Sequence, residues 1–208
     1  MNRRILLAMP LLAALPLALS SARAAAEAAA APVTDLDDAL IAVMKAGSAG
    51  ESFTTRYALL KPVVEQSFDL GSILQVSAGL LWSQIPADQQ AELVVLFRRY
   101  TIATYVSSFN AYSGQRFETL PGTRSVGTRQ IVTTDLIAAS GHKTKLAYVM
   151  TPLAGGWKIT DVLFDGTISK VATQRSEFDG LIDPGNASRL ITALKRKIAT
   201  LSGGALKG

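Results

Sequence analysis

The hydrophobic period of this chain changes at Tyr112, and few folds satisfy both sides of that change. From Pro86 to Tyr112 no Gly or Pro follows the first residue. Leu93, Phe97 and Tyr100, then Tyr105, Phe109 and Tyr112, recur at helical spacing. This predicts one long helix with five aromatic rings on its apolar face, in a chain otherwise poor in aromatics. After Tyr112 the period falls to two. Strands are expected over 115–120, 126–138, 144–151 and 157–164, separated by Pro121-Gly122, Ser140-Gly141 and Ala154-Gly155-Gly156. Turns this short force consecutive strands to pair antiparallel. The helix must bury its apolar face, and the sheet is the available partner. That face either packs wholly into the core or lines a cavity for an apolar ligand. In the second case the rings of Tyr105 and Tyr112 are expected to present hydroxyls at its mouth.

Other elements flank this unit. Thr34 is the expected cap of a first helix, with Asp35, Asp37 and Asp38 in its first turn and Leu36, Leu40, Val43 and Met44 as its stripe. Gly47 and Gly50 are expected to end it. A second helix begins near Ser52 and is expected to kink or break at Pro62. Asp69 caps a third segment that runs into Gly79. On the fourth strand Val162 and Phe164 alternate with Trp157 and Ile159, which predicts opposite faces for the two pairs. Beyond the sheet, Thr167 is the expected cap of a helix bearing Ile168, Val171 and Phe178. A last helix starts near Ala187 with Leu190, Leu194, Ile198 and Leu201 as its stripe. The expected class is α+β: N-terminal helices, a four-stranded antiparallel β-meander and two C-terminal helices.

The N-terminus has the three parts of a secretory signal peptide. Arg3 and Arg4 precede an apolar run from Ile5 to Leu19, and Ala22-Arg23-Ala24 forms a cleavage site. The expected organisation is therefore a signal peptide over 1–24 cleaved after Ala24, an Ala-rich linker over 25–33, and one exported domain over 34–204. Without Arg3, Arg4 and Arg23 the formal charge of +5 falls to about +2, so the basic balance is weak evidence for nucleic acid and none is expected as a partner. The chain has no Cys, which excludes disulfides, thiolate metal sites and thiol catalysis.

Catalytic machinery is sparse. His142 is the single histidine and follows a turn glycine, where exposure is expected. No G-x-S-x-G, P-loop or G-x-G-x-x-G occurs. One His without Cys does not make a usual zinc site. Asp165 and Asp183 read as turn formers. Arg98-Arg99 and Lys195-Arg196-Lys197 read as solvated faces, with binding to anionic partners as the alternative. The expectation is a binder rather than an enzyme, with no metal and no cofactor.

In order and spacing, several residues resemble the periplasmic phospholipid-binding MlaC family, also called the toluene-tolerance family. They include Phe53-Thr-Thr-Arg56-Tyr57, Phe68-Asp69, Gly79-Leu-Leu-Trp82, Gln89, Phe97, Tyr100 and Tyr105. Tyr112-Ser-Gly114-Gln115, Tyr148, Gly156-Trp157-Lys158-Ile159, Asp161-Val162, Gly166 with Ser169, Arg175, Phe178, Leu190 and Leu194 complete the pattern. The resemblance spans about residues 35–200. It implies a periplasmic protein in which a curved sheet and helices enclose a deep apolar pocket, an NTF2-like resemblance. It also implies a carrier that passes phospholipid between an inner-membrane ABC transporter complex and an outer-membrane lipoprotein complex. Val149 departs from the basic residue often found after the third-strand tyrosine. The segments Asp165–Ser169 and Arg175–Phe178 are more similar to the hopanoid-associated HpnM branch, which leaves the ligand as a phospholipid or a hopanoid.

For such a carrier the expected wall residues are Phe68, Leu74, Leu81, Phe97, Tyr105, Phe109, Leu146, Tyr148, Val162, Phe164, Ile168 and Phe178. Each buried methylene of a lipid contributes about 0.8 kcal/mol, so acyl chains supply affinity without covalent chemistry. Two other readings predict different interiors. An envelope adaptor would have a fully packed core, and an NTF2-like hydrolase or isomerase would have a polar cluster inside its cavity.

Overall fold

A computed structural model describes residues 15–207. Among these residues six helices and six strands run in the order α1 (Leu15–Ser48), α2 (Phe53–Ser67), α3 (Leu70–Ala78), a 3₁₀ segment (Gly79–Gln84), α4 (Ala87–Ser108), β1 (Arg116–Thr119), β2 (Arg124–Val126), β3 (Arg129–Ile137), β4 (Lys143–Leu153), β5 (Gly156–Phe164), β6 (Ile168–Ser169), α5 (Lys170–Asp179) and α6 (Ser188–Leu201). The class is α+β. The sheet is antiparallel throughout, in the order β1-β3-β4-β5-β6, with β2 also paired to β3 beyond the end of β1.

The meander therefore has more strands than the four expected. Gly127, at φ +60°, turns the chain between β2 and β3, so the expected strand 126–138 splits there. β6 is a two-residue strand that places Ile168 outside α5. Ser169, not Thr167, caps that helix by accepting from the Ala172 N–H at 2.9 Å.

α1 is longer than expected. Residues 25–33, expected as a linker, lie within it, as do Thr34 and Pro32. Alanine has the highest helix propensity, and Ala29 and Val33 are fully buried, so packing reinforces the local preference. The hydroxyl of Thr34 donates back to the Ala30 carbonyl instead of capping an N-terminus. Residues 1–14 of the expected signal peptide lie outside the described residues, and 15–24 form the first turns of α1. Among the described residues no helix is long and apolar enough to cross a membrane. α2 continues through Pro62.

α4 ends at Ser108 rather than Tyr112. The end of α1 fixes the chain that follows. The Tyr112 N–H donates to Ser48 Oγ at 2.7 Å, and the Ser48 hydroxyl lies 3.2 Å from the Tyr112 carbonyl. Gly47 admits this close approach, because a Cβ there would stand 2.0 Å from the Asn110 carbonyl oxygen. Lys45 places its ammonium 5.2 Å from the Tyr112 ring.

One sheet face meets the helices. Val132, Tyr148, Met150 and Ile159 join the main core with residues of α1, α2, α4 and α6. β4 and β5 slip register between Val149, opposite Asp161, and Met150, opposite Ile159, leaving Thr160 as an extra residue. The slip inverts the alternation of β5. Ile159 and Trp157 consequently share the inner face with Val162 and Phe164, correcting the expectation of opposite faces.

Candidate functional site

An apolar cavity of about 340 Å³ lies between α4, the inner sheet face, α3 and the start of α5. Phe68 reaches it because β5 clamps the start of α3. The Asp69 N–H donates to the Ile159 carbonyl at 3.0 Å, while the Asp69 carboxylate accepts from the Ser72 N–H at 3.1 Å. An aromatic row then follows the wall. The ring centroids of Phe68 and Tyr105 are 5.8 Å apart, those of Tyr105 and Phe109 6.1 Å, and those of Phe109 and Phe117 6.2 Å.

Leu146, Tyr148, Val162 and Phe164 supply the sheet side, and Phe97 lies further along α4. Cross-strand pairing brings the four together, with Leu146 opposite Phe164 and Tyr148 opposite Val162. Eight of the twelve expected wall residues thus line the cavity: Phe68, Phe97, Tyr105, Phe109, Leu146, Tyr148, Val162 and Phe164.

The other four do not. Leu74 is fully buried in the core, because α3 turns Leu70 and Ile73 to the cavity instead. Leu81 packs half-buried against the core from the 3₁₀ segment. Phe178 is buried behind the wall, edge-on to Phe97 at 6.2 Å, so it supports the lining without forming it. Ile168 is 57% exposed on edge strand β6. Tyr112, expected at the mouth, stands off the helix at the end of α1.

Sequence reasoning did not select Leu70, Ile73, Tyr100, Leu136, Thr144 or Lys170, all of which line the cavity. The i, i+3 spacing of Leu70 and Ile73 was a usable signal. Leu136 and Thr144 face one another across β3 and β4, a pairing that depends on register.

Several polar groups of the wall are already bonded within the protein. The hydroxyls of Thr101 and Thr104 donate to the carbonyls of Phe97 and Tyr100, at 2.9 and 2.8 Å. The Asp161 carboxylate accepts from the N–H groups of Val162 and Val171 and the hydroxyl of Ser169. The Gln174 carbonyl faces the Ser77 hydroxyl at 3.5 Å. Lys170 is the one cation among the lining residues and is exposed at the edge. Phe164, half exposed, shares that rim.

Beneath the wall, Asp37 of α1 is only 4% exposed and its carboxylate accepts from the Tyr148 hydroxyl at 3.5 Å. Burial raises the Asp37 carboxyl to about 7, a shift the Tyr148 hydrogen bond opposes and the Asp38 charge reinforces. Burial, then the Asp37 charge, push the phenols of Tyr105 and Tyr148 upward. His142 is exposed on the β3–β4 turn and does not line the cavity. Among the described residues no three His, Asp or Glu side chains form a group able to hold a metal.

A family model described as MlaC protein matches residues 34–196. No curated protein matches the chain significantly. Among solved structures, the chain is similar to the phospholipid-binding protein from Ralstonia solanacearum, determined in complex with a phospholipid. The TM-score is 0.72 at 23% identity, covering 84% of this chain and 98% of that one.

Proposed function

The chain belongs to the MlaC family, and from that premise we propose that it is an exported lipid carrier that holds acyl chains in the cavity between α4 and the sheet. The observation that carries this reading is an apolar cavity of about 340 Å³ in which the Thr101 and Thr104 hydroxyls of α4 are turned back to their own backbone. Such a lining takes hydrocarbon and offers little directional recognition along its length. A solved structure of the same fold is that of a phospholipid-binding protein with its lipid, which supports the phospholipid class. Lys170 stands at the edge, where a phosphate headgroup would remain near water and gain a cation.

The carrier works without catalysis, in the periplasm, after removal of residues 1–24. Its expected partners are an inner-membrane ABC transporter complex and an outer-membrane lipoprotein complex. The similarity of Asp165–Ser169 to the HpnM branch favours a hopanoid as the second candidate ligand. A fully packed envelope adaptor is disfavoured by the cavity itself.

The test is native mass spectrometry of the protein exported to the periplasm, with extraction of its lipids. Bound phospholipid is the expected result, and bound hopanoid would identify the second ligand. A mass without lipid, together with no uptake from phospholipid vesicles, would overturn the carrier reading.

A further inference from the structure

Directly behind the cavity wall, where α1, α4 and the sheet meet, lies a buried polar cluster. Asp37 contributes a carboxylate whose Oδ1 meets the Tyr148 hydroxyl and whose Oδ2 is buried without a hydrogen-bond partner. Thr134 is completely buried on the inner face of β3, and its Oγ1 has no partner of normal geometry although it lies beside the Tyr148 hydroxyl. Tyr148 and Tyr105 reach this region from the cavity lining. Asp37 is close enough to Tyr105 for its charge to act on that phenol. Buried polar groups are nearly always paired, so two unpaired oxygens beside two phenols mark unused hydrogen-bonding capacity. Elsewhere α4 turns the hydroxyls of Thr101 and Thr104 away from the cavity.

We infer that this region, formed by Asp37, Thr134, Tyr105 and Tyr148, is a polar subsite for a hydrogen-bonding group carried on the buried, hydrophobic part of the ligand. The ligand class is a lipid with a hydroxyl or similar neutral group remote from its headgroup. An uncharged group fits better than an anion, because Asp37 and Asp38 repel negative charge and no Lys or Arg lines this part of the wall. The inference rests on the carrier reading and specifies its ligand.

The test uses delipidated full-length mature protein and saturated fatty acids from ten to eighteen carbons, each paired with its ω-hydroxy counterpart. A hydroxyl buried against hydrocarbon alone should weaken binding by about tenfold or more. The expected result is that, at one or more chain lengths, the ω-hydroxy acid binds at least as tightly as its plain partner. In Asp37→Leu and in Thr134→Val, the hydroxyl should then cost about fivefold or more at that length, with plain fatty acid affinity preserved. Asp37→Asn, which keeps hydrogen-bonding atoms, should retain tolerance. Thermal melts establish that each variant is folded, and Thr134→Val, being isosteric, carries the test if Asp37→Leu does not fold. A tenfold hydroxyl penalty at every length in the unmodified protein would overturn the inference and leave the carrier reading intact. So would tolerance that survives both substitutions. Failure of every plain fatty acid to bind would overturn the inference, and absence of phospholipid uptake from vesicles as well would overturn both.

Discussion

Asp37 is a carboxyl held where burial opposes its charge. Its folded-state pKa is raised from 3.8 to about 7, with desolvation the largest cause. Between those values the folded protein keeps a proton that the unfolded chain has released. Stability therefore falls as pH rises from about 4 to about 7, and above that the cost is constant. Three pKa units correspond to a destabilisation on the order of 4 kcal/mol at pH 8. Asp37→Asn removes the titration and keeps side-chain polarity. Its stability advantage should be negligible at pH 4, grow through pH 7 and then level off. Urea denaturation at pH 4, 6 and 8 measures this, and an advantage independent of pH would refute it. Burial of Asp37 was not legible in the sequence. At the start of a helix an aspartate reads as a dipole-stabilised surface residue. Only the extension of α1 through residues 25–33 moves Asp37 to mid-helix, beneath Tyr148.

At the scale of elements, two junctions hold the cavity walls in place. The first joins the end of α1 to the chain leaving α4, where Gly47 meets the Asn110 carbonyl and Ser48 bonds to the Tyr112 backbone. Gly47→Ala forces a methyl into backbone that cannot move as a side chain would. It should destabilise by about 1–3 kcal/mol, read as a lower thermal midpoint, and an unchanged midpoint would show that the loop is free to shift. The second is Asp161, whose bonds from the Ser169 hydroxyl and the Val171 N–H tie β5 to the start of α5. Asp161→Ala leaves the Val171 N–H and Ser169 hydroxyl without that partner. The expected cost is about 1.5–3 kcal/mol, with hydrogen exchange accelerated first in α5; uniform acceleration across the protein would argue against a local role. Helices and strands were legible wherever periodicity was strong, as in α4 and β4. Asp69 was legible as a cap, and Ser52 as the start of its helix, because their side chains bond locally. The end of α4 was not, because residues 109–112 keep helical spacing while contacts with α1, some 64 residues distant in sequence, pull them away. The faces of β5 were likewise hidden by one extra residue in a bulge.

For the molecule as a whole, the proposed carrier function would make lipid part of the stability of the fold. A ligand that binds only the folded chain stabilises it by about 2.7 kcal/mol at a hundredfold excess over its dissociation constant. The delipidated protein should therefore melt lower than the protein as purified and recover when phospholipid vesicles are added. The sequence could indicate apolar faces but could not separate a packed core from a cavity wall. Leu74 and Phe178 have the same chemistry as Leu146 and Phe97, and only three-dimensional convergence distinguishes them. Leu146 provides the discriminating substitution, since it stands between Thr134 and Phe164 across three strands and faces the cavity. In Leu146→Arg the longer side chain occupies acyl-chain volume, and its charge must either remain in the apolar space or extend along it to water. Lipid should be absent from the purified variant, and added vesicles should not raise its melting temperature, while its circular dichroism stays that of the parent. Phe164→Asp should weaken lipid retention less, because Phe164 is already half exposed at the rim. A folded Leu146→Arg protein that still carries lipid would place the acyl chains somewhere other than between α4 and the sheet.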